Sequence, residues 1–166
     1  LETYITFDCS SLTYIKGSDG QYESSINVTT IFKQGESIKN FDKYVVTSPK
    51  IADTANINGF FMDIQRYSLP NGEYKMEITI EDSNNKSQKP LVVEETILID
   101  FPENICFSSI IGLEDYKPAT EVSPTTKNGY DLIPMVMPYY PENINILIFY
   151  AEIYNTMKAL GENEKY

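Results

Sequence analysis

The stretch Leu69-Pro70-Asn71-Gly72-Glu73-Tyr74-Lys75-Met76-Glu77-Ile78-Thr79-Ile80-Glu81-Asp82 leaves the chain little choice of fold class. From Tyr74 onward the side chains alternate, with Tyr74, Met76, Ile78 and Ile80 on one face and Lys75, Glu77, Thr79 and Glu81 on the other. That period of two predicts a half-buried antiparallel strand. Ahead of it, Pro70 fixes φ and removes a backbone donor, and Asn71-Gly72 tolerates positive φ, so the chain must turn sharply before the strand begins.

Leu69 then lies on one side of a corner and Tyr74 on the other. The spacing resembles the tyrosine corner of immunoglobulin-like and fibronectin-like sandwiches, in which a Tyr at the start of a strand sends its hydroxyl back to the preceding backbone. The alternative is a Tyr that only opens an amphipathic hairpin strand. Both readings predict a sandwich.

The same alternation recurs along the chain. Residues 2–9 predict a strand with Ile5, Phe7 and Cys9 inward, continuing through Leu12-Thr13-Tyr14-Ile15 to a turn at Gly17-Ser18-Asp19-Gly20. Residues 22–33 predict a long strand with Ile26, Val28 and Phe32 on one face, joined through Gln34-Gly35-Glu36 to a partner at 37–46. In that partner Ile38, Tyr44 and Val46 are expected to face one way, Phe41 and Val45 the other. Residues 47–59 form an irregular crossover, 60–68 a further strand, and 91–101 the last strand, with Ile97, Ile99 and Phe101 inward. About seven strands in about 100 residues suit an immunoglobulin-like domain. The expected organisation is therefore a sandwich over residues 1–102 and a second, smaller or truncated β unit over 103–166.

In that second unit, 105–113 and 130–137 predict strands. Residues 143–156, apolar on both faces, predict a central covered strand, with a helix as the competing reading. A turn is expected after Met157. Few strands rarely stand alone, and Leu1 begins within an alternating pattern, so a longer parent chain is expected.

Charge and composition narrow the chemistry. Lys and Arg total 13 against 24 Asp and Glu, a net of −11, so a phosphate backbone is repelled and nucleic acid is not an expected partner. No apolar run approaches the roughly 18 residues of a membrane span. There is no His, which removes His-based triads and His-based metal sites. Glu94-Glu95 and Glu114-Asp115 are adjacent carboxylates, but neighbours on a strand point to opposite faces and do not converge on one glycosidic bond. Asp82-Ser83-Asn84-Asn85 begins like a calcium loop, but Lys86 stands at the fifth position and no Gly follows, so a turn is favoured and no metal or cofactor is expected. Cys9 and Cys106 either bridge or remain separate buried thiols, the second being favoured.

Several segments, taken in order, carry a family resemblance. They are Ile31-Phe32-Lys33-Gln34-Gly35, Phe41-Asp42-Lys43-Tyr44, the Leu69 to Tyr74 corner, Lys127-Asn128-Gly129-Tyr130-Asp131-Leu132-Ile133-Pro134, Tyr140-Pro141-Glu142-Asn143, and Phe149-Tyr150-Ala151-Glu152-Ile153-Tyr154-Asn155. Together they resemble the N-terminal region of GWxTD-domain proteins, exported proteins of Gram-negative bacteria. The Gly-Trp-x-Thr-Asp motif itself is absent and the chain has no Trp, so no role tied to that motif carries over. The resemblance implies an extracytoplasmic location, in the periplasm or at the cell surface, and a longer parent chain.

The leading expectation is a non-catalytic interaction or structural module of the cell envelope that binds a protein or self-associates through an edge strand. The runner-up is a carbohydrate-binding accessory module, and the third is the non-catalytic N-terminal part of an enzyme. Tyr139-Tyr140, flanked by Pro138 and Pro141, could offer rings to a sugar or a peptide, or could pack at a corner. Ile148 is the expected contact along the edge of the 143–156 segment.

Overall fold

The computed structural model describes residues 1–136, 140, 142 and 144–161. These divide into two compact units, Leu1–Asp100 and Phe101–Tyr166. The fold is all-β, in antiparallel sheets.

In the first unit the strands are β1 (Glu2–Asp8), β2 (Ile15–Lys16), β3 (Tyr22–Glu23), β4 (Ser25–Gln34), β5 (Ser37–Thr47), β6 (Phe60–Arg66), β7 (Gly72–Asp82) and β8 (Leu91–Ile99). A four-stranded sheet in the order β5-β4-β7-β8 faces a two-stranded sheet β1-β6, and β2-β3 is a small separate hairpin. Alternation along β4 buries Ile26, Val28, Thr30 and Phe32 almost completely. One core cluster joins Ile26 and Val28 to Ile78 of β7 and, across the sheets, to Phe7 of β1, whose ring stacks on Phe61 of β6 at 5.1 Å. A second cluster joins Phe32, Tyr67, Tyr74 and Ile99, with the Phe32 and Tyr67 rings edge to face at 4.8 Å. Fully burying side chains of this size contributes about 1.5–3 kcal/mol each.

Tyr74 is buried, and its hydroxyl donates to the Pro70 carbonyl at 2.9 Å. The corner read from the sequence is thus closed by the side chain expected to close it.

Four details differ from the sequence reading. The first strand does not run on through Ile15, because the Asp8 carboxylate accepts the Ser10 N–H at 2.8 Å and caps a 3₁₀ turn, Cys9–Ser11, that bends the chain away. Ile38 does not share a face with Tyr44 and Val46. Asn40 pairs with Phe32 and Ile38 with Lys33, so an extra residue at Lys39 makes a bulge that turns Ile38 outward. Phe101 is exposed and belongs to the second unit. Cys9 and Cys106 are separate free thiols, as favoured, but Cys106 is only partly buried where both were expected to be buried.

The second unit contains β9 (Cys106–Phe107), β10 (Ile111–Pro118), β11 (Thr126–Lys127), β12 (Tyr130–Pro134), β13 (Ile148–Tyr150), β14 (Ile153–Tyr154) and a short helix α1 (Thr156–Leu160). Its main sheet has the order β11-β12-β10-β13, and β14 pairs with β9. The 143–156 segment is not one covered central strand. Residues 144–147 are exposed and outside any strand, and β13 and β14 belong to different sheets. The apolar content that suggested coverage on both faces instead supplies two short pairings and an exposed approach to them. The expected turn after Met157 is replaced by α1, which begins at Thr156 and ends where Gly161 adopts φ +98°. Asn155, itself at φ +64°, donates through its side-chain amide to the carbonyls of Pro102 and Asn104 at 2.9 and 3.0 Å, tying the two ends of this unit together.

Candidate functional site

An open groove of about 560 Å³ lies in the second unit, walled by residues of β10, β11, β12 and β13. The geometry begins at Lys127-Asn128-Gly129-Tyr130. Lys127 and Tyr130 are paired across the hairpin, and Asn128 and Gly129 take φ values of +49° and +83°. Positive φ at both central residues defines the I′ turn, whose twist matches that of the flanking strands and which Asn-Gly favours. Behind the turn, Asp131 accepts the Thr126 hydroxyl at 2.5 Å and the Ser123 hydroxyl at 3.3 Å, which fastens the short strand β11 to its loop.

The register of β12 on β10 places Tyr116 opposite Leu132 and Pro118 opposite Tyr130. Tyr116 and Tyr130 are therefore diagonal neighbours on one face, within reach of each other as aromatic side chains. Their rings meet edge to face with centroids 5.9 Å apart, and both are about half exposed. Leu113 and Leu132 are buried beneath and form the floor with Ile148, which pairs with Leu113.

Tyr150 makes the opposite wall. Its hydroxyl accepts from the Asn128 side-chain amide at 2.8 Å and donates to Glu152 at 2.7 Å. Tyr154 donates to the other Glu152 oxygen. Lys127 places its ammonium 5.6 Å from the centre of the Tyr150 ring and 4.0 Å from Glu152, with its side chain largely shielded from solvent. Such a cation over an aromatic ring contributes about 0.5–1 kcal/mol when exposed and more when desolvated. Glu152 is thus a scaffold carboxylate, and the Tyr150 ring is fixed before any ligand arrives.

The residues singled out from the sequence lie elsewhere in part. Ile148 is half-buried on the groove floor. Tyr140 is exposed but outside the groove, its hydroxyl over Gly112 and 3.2 Å from where a Cβ there would stand. Tyr139 lies outside the described residues. The sequence reading missed Tyr116, Tyr130 and Tyr150, which are far apart in the chain. Asn128-Gly129 was the available signal, since it predicts a tight hairpin that sets Lys127 beside Tyr130.

Among the carboxylates weighed for catalysis or metal binding, Glu94, Asp115 and Asp82 have structural partners. Glu94 pairs with Lys75 at 2.8 Å, and that contact holds its carboxyl below the ordinary range. Glu114 lies where the β10 register shifts, between Leu113 and Asp115, and Asp115 accepts the Tyr116 N–H at 2.8 Å. Asp82 accepts the Thr13 and Asn84 N–H groups at 2.8 and 2.9 Å, and Asn84 donates to the Thr13 carbonyl at 2.8 Å. These atoms anchor the segment after the 3₁₀ turn to the end of β7. No group of three or more metal-ligating side chains occurs among the described residues, and none of their helices is long and apolar enough to cross a membrane.

The chain matches no family model, no curated protein and no solved structure.

Proposed function

We propose that the chain is a non-catalytic interaction module of the cell envelope, in which an immunoglobulin-like sandwich is followed by a second β unit that carries the binding site. The observation that carries this reading is the groove: a concave surface of ligand size, with an apolar floor, preset aromatic walls and a few polar groups. The β5-β4-β7-β8 sheet facing β1-β6, with the Tyr74 hydroxyl closing the corner, supports the immunoglobulin-like assignment. The segment resemblance to GWxTD-domain proteins supports the extracytoplasmic setting.

Peptide and glycan arrays probed with the labelled protein, and with a variant carrying Tyr116→Ala and Tyr130→Ala, test the reading. Reproducible binding that the variant loses is expected. Empty arrays, or binding indifferent to the variant, would overturn it.

Self-association is a second reading, favoured by the position of β13 at a sheet edge, where β10 is its one strand partner among the described residues. An unpaired strand edge is a template for another chain. Light scattering over a concentration series is expected to show association that Ile148→Lys abolishes. A mass that stays monomeric at every concentration rejects this route.

A further inference from the structure

The dipeptide Asn-Gly occurs three times in the chain, at Asn58-Gly59, Asn71-Gly72 and Asn128-Gly129. It carries a reaction of its own. The glycine nitrogen, with no Cβ on its residue to obstruct it, can attack the side-chain carbonyl carbon of the preceding Asn and close a five-membered succinimide. The reaction proceeds only where the fold lets that nitrogen swing over the side chain, and the three sites differ in this.

Two of them are held. At Asn128-Gly129 the side-chain amide donates to the Tyr150 hydroxyl at 2.8 Å, and the peptide lies inside the turn closed by the pairing of Lys127 with Tyr130. At Asn71-Gly72 the glycine already belongs to β7, is paired with Ile99 and is half-buried, and the Gln34 side-chain amide lies 2.5 Å from where its Cβ would stand. Asn71 has an interaction of its own. Moving either glycine nitrogen requires the hairpin or the corner to open first.

Asn58-Gly59 differs on each count. Both residues are exposed and lie outside any strand or helix. Neither the Asn58 side chain nor the Gly59 N–H has a hydrogen-bond partner among the described residues. Gly59 takes φ +100° with nothing within 4 Å of where a Cβ would stand, so no neighbour blocks the approach.

We propose that Asn58 is a site of spontaneous modification, converted in the folded protein to aspartate and isoaspartate while the fold preserves Asn71 and Asn128. Solvent base removes the Gly59 amide proton, the nitrogen bonds to the Asn58 Cγ, and the Cγ–Nδ2 bond breaks, releasing ammonia that takes its extra proton from water. Water then opens the ring. Addition at Cγ restores the ordinary backbone with a side-chain carboxylate, and addition at the backbone carbonyl routes the main chain through the side chain, one methylene longer. Either product adds a negative charge, and nothing is oxidised or reduced. The Gly59 carbonyl accepts the Cys9 N–H at 3.0 Å and Phe60 pairs with Asp8, so the isoaspartate lengthens the chain just before the last rung between β1 and β6. The reaction belongs to the first unit and is independent of the groove.

The test is peptide mapping by mass spectrometry of the full chain held in mildly alkaline buffer, folded and in urea. In the folded chain Asn58 is expected to lose its amide at least about tenfold faster than Asn71 and Asn128, which react only from locally opened states. In urea the three rates should converge. Hydrogen exchange of the Cys9 amide is expected to quicken as the isoaspartate accumulates, and Asn58→Gln, which disfavours the ring, should lose both the product and the quickening. If Asn71 or Asn128 converts as fast as Asn58 in the folded chain, or if Asn58 converts only in urea, the proposal is overturned. Cys9 exchange that stays unchanged in the converted protein overturns the effect on the β1–β6 pairing.

Discussion

At the scale of single residues, two tyrosines of the sandwich show how one phenol hydroxyl sets a local energy. Tyr74 is nearly inaccessible and its hydroxyl satisfies the Pro70 carbonyl. Tyr74→Phe removes the donor and leaves that acceptor without it, and is expected to lower stability by about 1 kcal/mol or somewhat more. The urea midpoint should fall while the slope of the transition stays constant; an unchanged midpoint would mean the corner bond adds nothing. Tyr44 gives a pH-dependent counterpart. Burial first, and then its hydrogen bond to Asp63 at 2.7 Å, push its ionisation upward. Between the ordinary phenol value of about 10 and the raised one, the folded chain keeps a proton that the unfolded chain releases. Stability from this group is therefore complete below about pH 10 and is lost as pH rises further. Urea midpoints across that range should decline in the wild type and decline less steeply in Tyr44→Phe. Parallel curves would show that Tyr44 is not the group responsible.

At the scale of elements, the hairpin at Asn128-Gly129 is where backbone chemistry meets the groove. Gly129 has open space where a Cβ would go, so its φ of +83° is the reason glycine stands there. Gly129→Ala meets no steric neighbour but must adopt a conformation that L-residues avoid, at a cost of about 1 kcal/mol. The loss should appear as a lower urea midpoint in NMR signals from β12, with the Phe32 cluster unaffected. Comparable losses in both places would show that the strain is not local. This hairpin also marks the limit of what the sequence made legible. Alternation located β4 and β7 well, because each is buried on one face and polar on the other, and a one-residue slip would expose that face. It misplaced Ile38, since one inserted residue reverses the faces beyond it and leaves no trace in composition. It also overran the first strand, where Asp8 and Ser10 made a side-chain turn that hydrophobic pattern does not register. Residues 144–154 were misread because their apolar side chains carry no period from which to judge where pairing stops.

For the whole molecule, legibility followed sequence separation. The corner is contained in six consecutive residues and could be read, whereas the groove is assembled from residues 113 to 150 on four strands and required the register of β12 and β13 on β10. The same contrast separates the two units energetically. Both clusters of buried apolar side chains, around Val28 and around Phe32, lie wholly within Leu1–Asp100 and draw on β1, β4, β7, β8 and the chain just after β6. A unit with its own core, and with its sheets built from its own strands, meets the physical requirement for folding alone. Residues 1–100 expressed by themselves are therefore expected to unfold in one cooperative transition, with β-sheet circular dichroism and with Tyr74 still shielded from solvent. Phe32→Ala in that fragment should cost about 3–5 kcal/mol, the range for emptying a fully buried aromatic site. The decisive measurement is hydrogen exchange. Slow exchange along β4 and β7 in the fragment, matching the full chain, is the expected result; rapid exchange throughout would show that the first unit depends on residues beyond Asp100 for its stability.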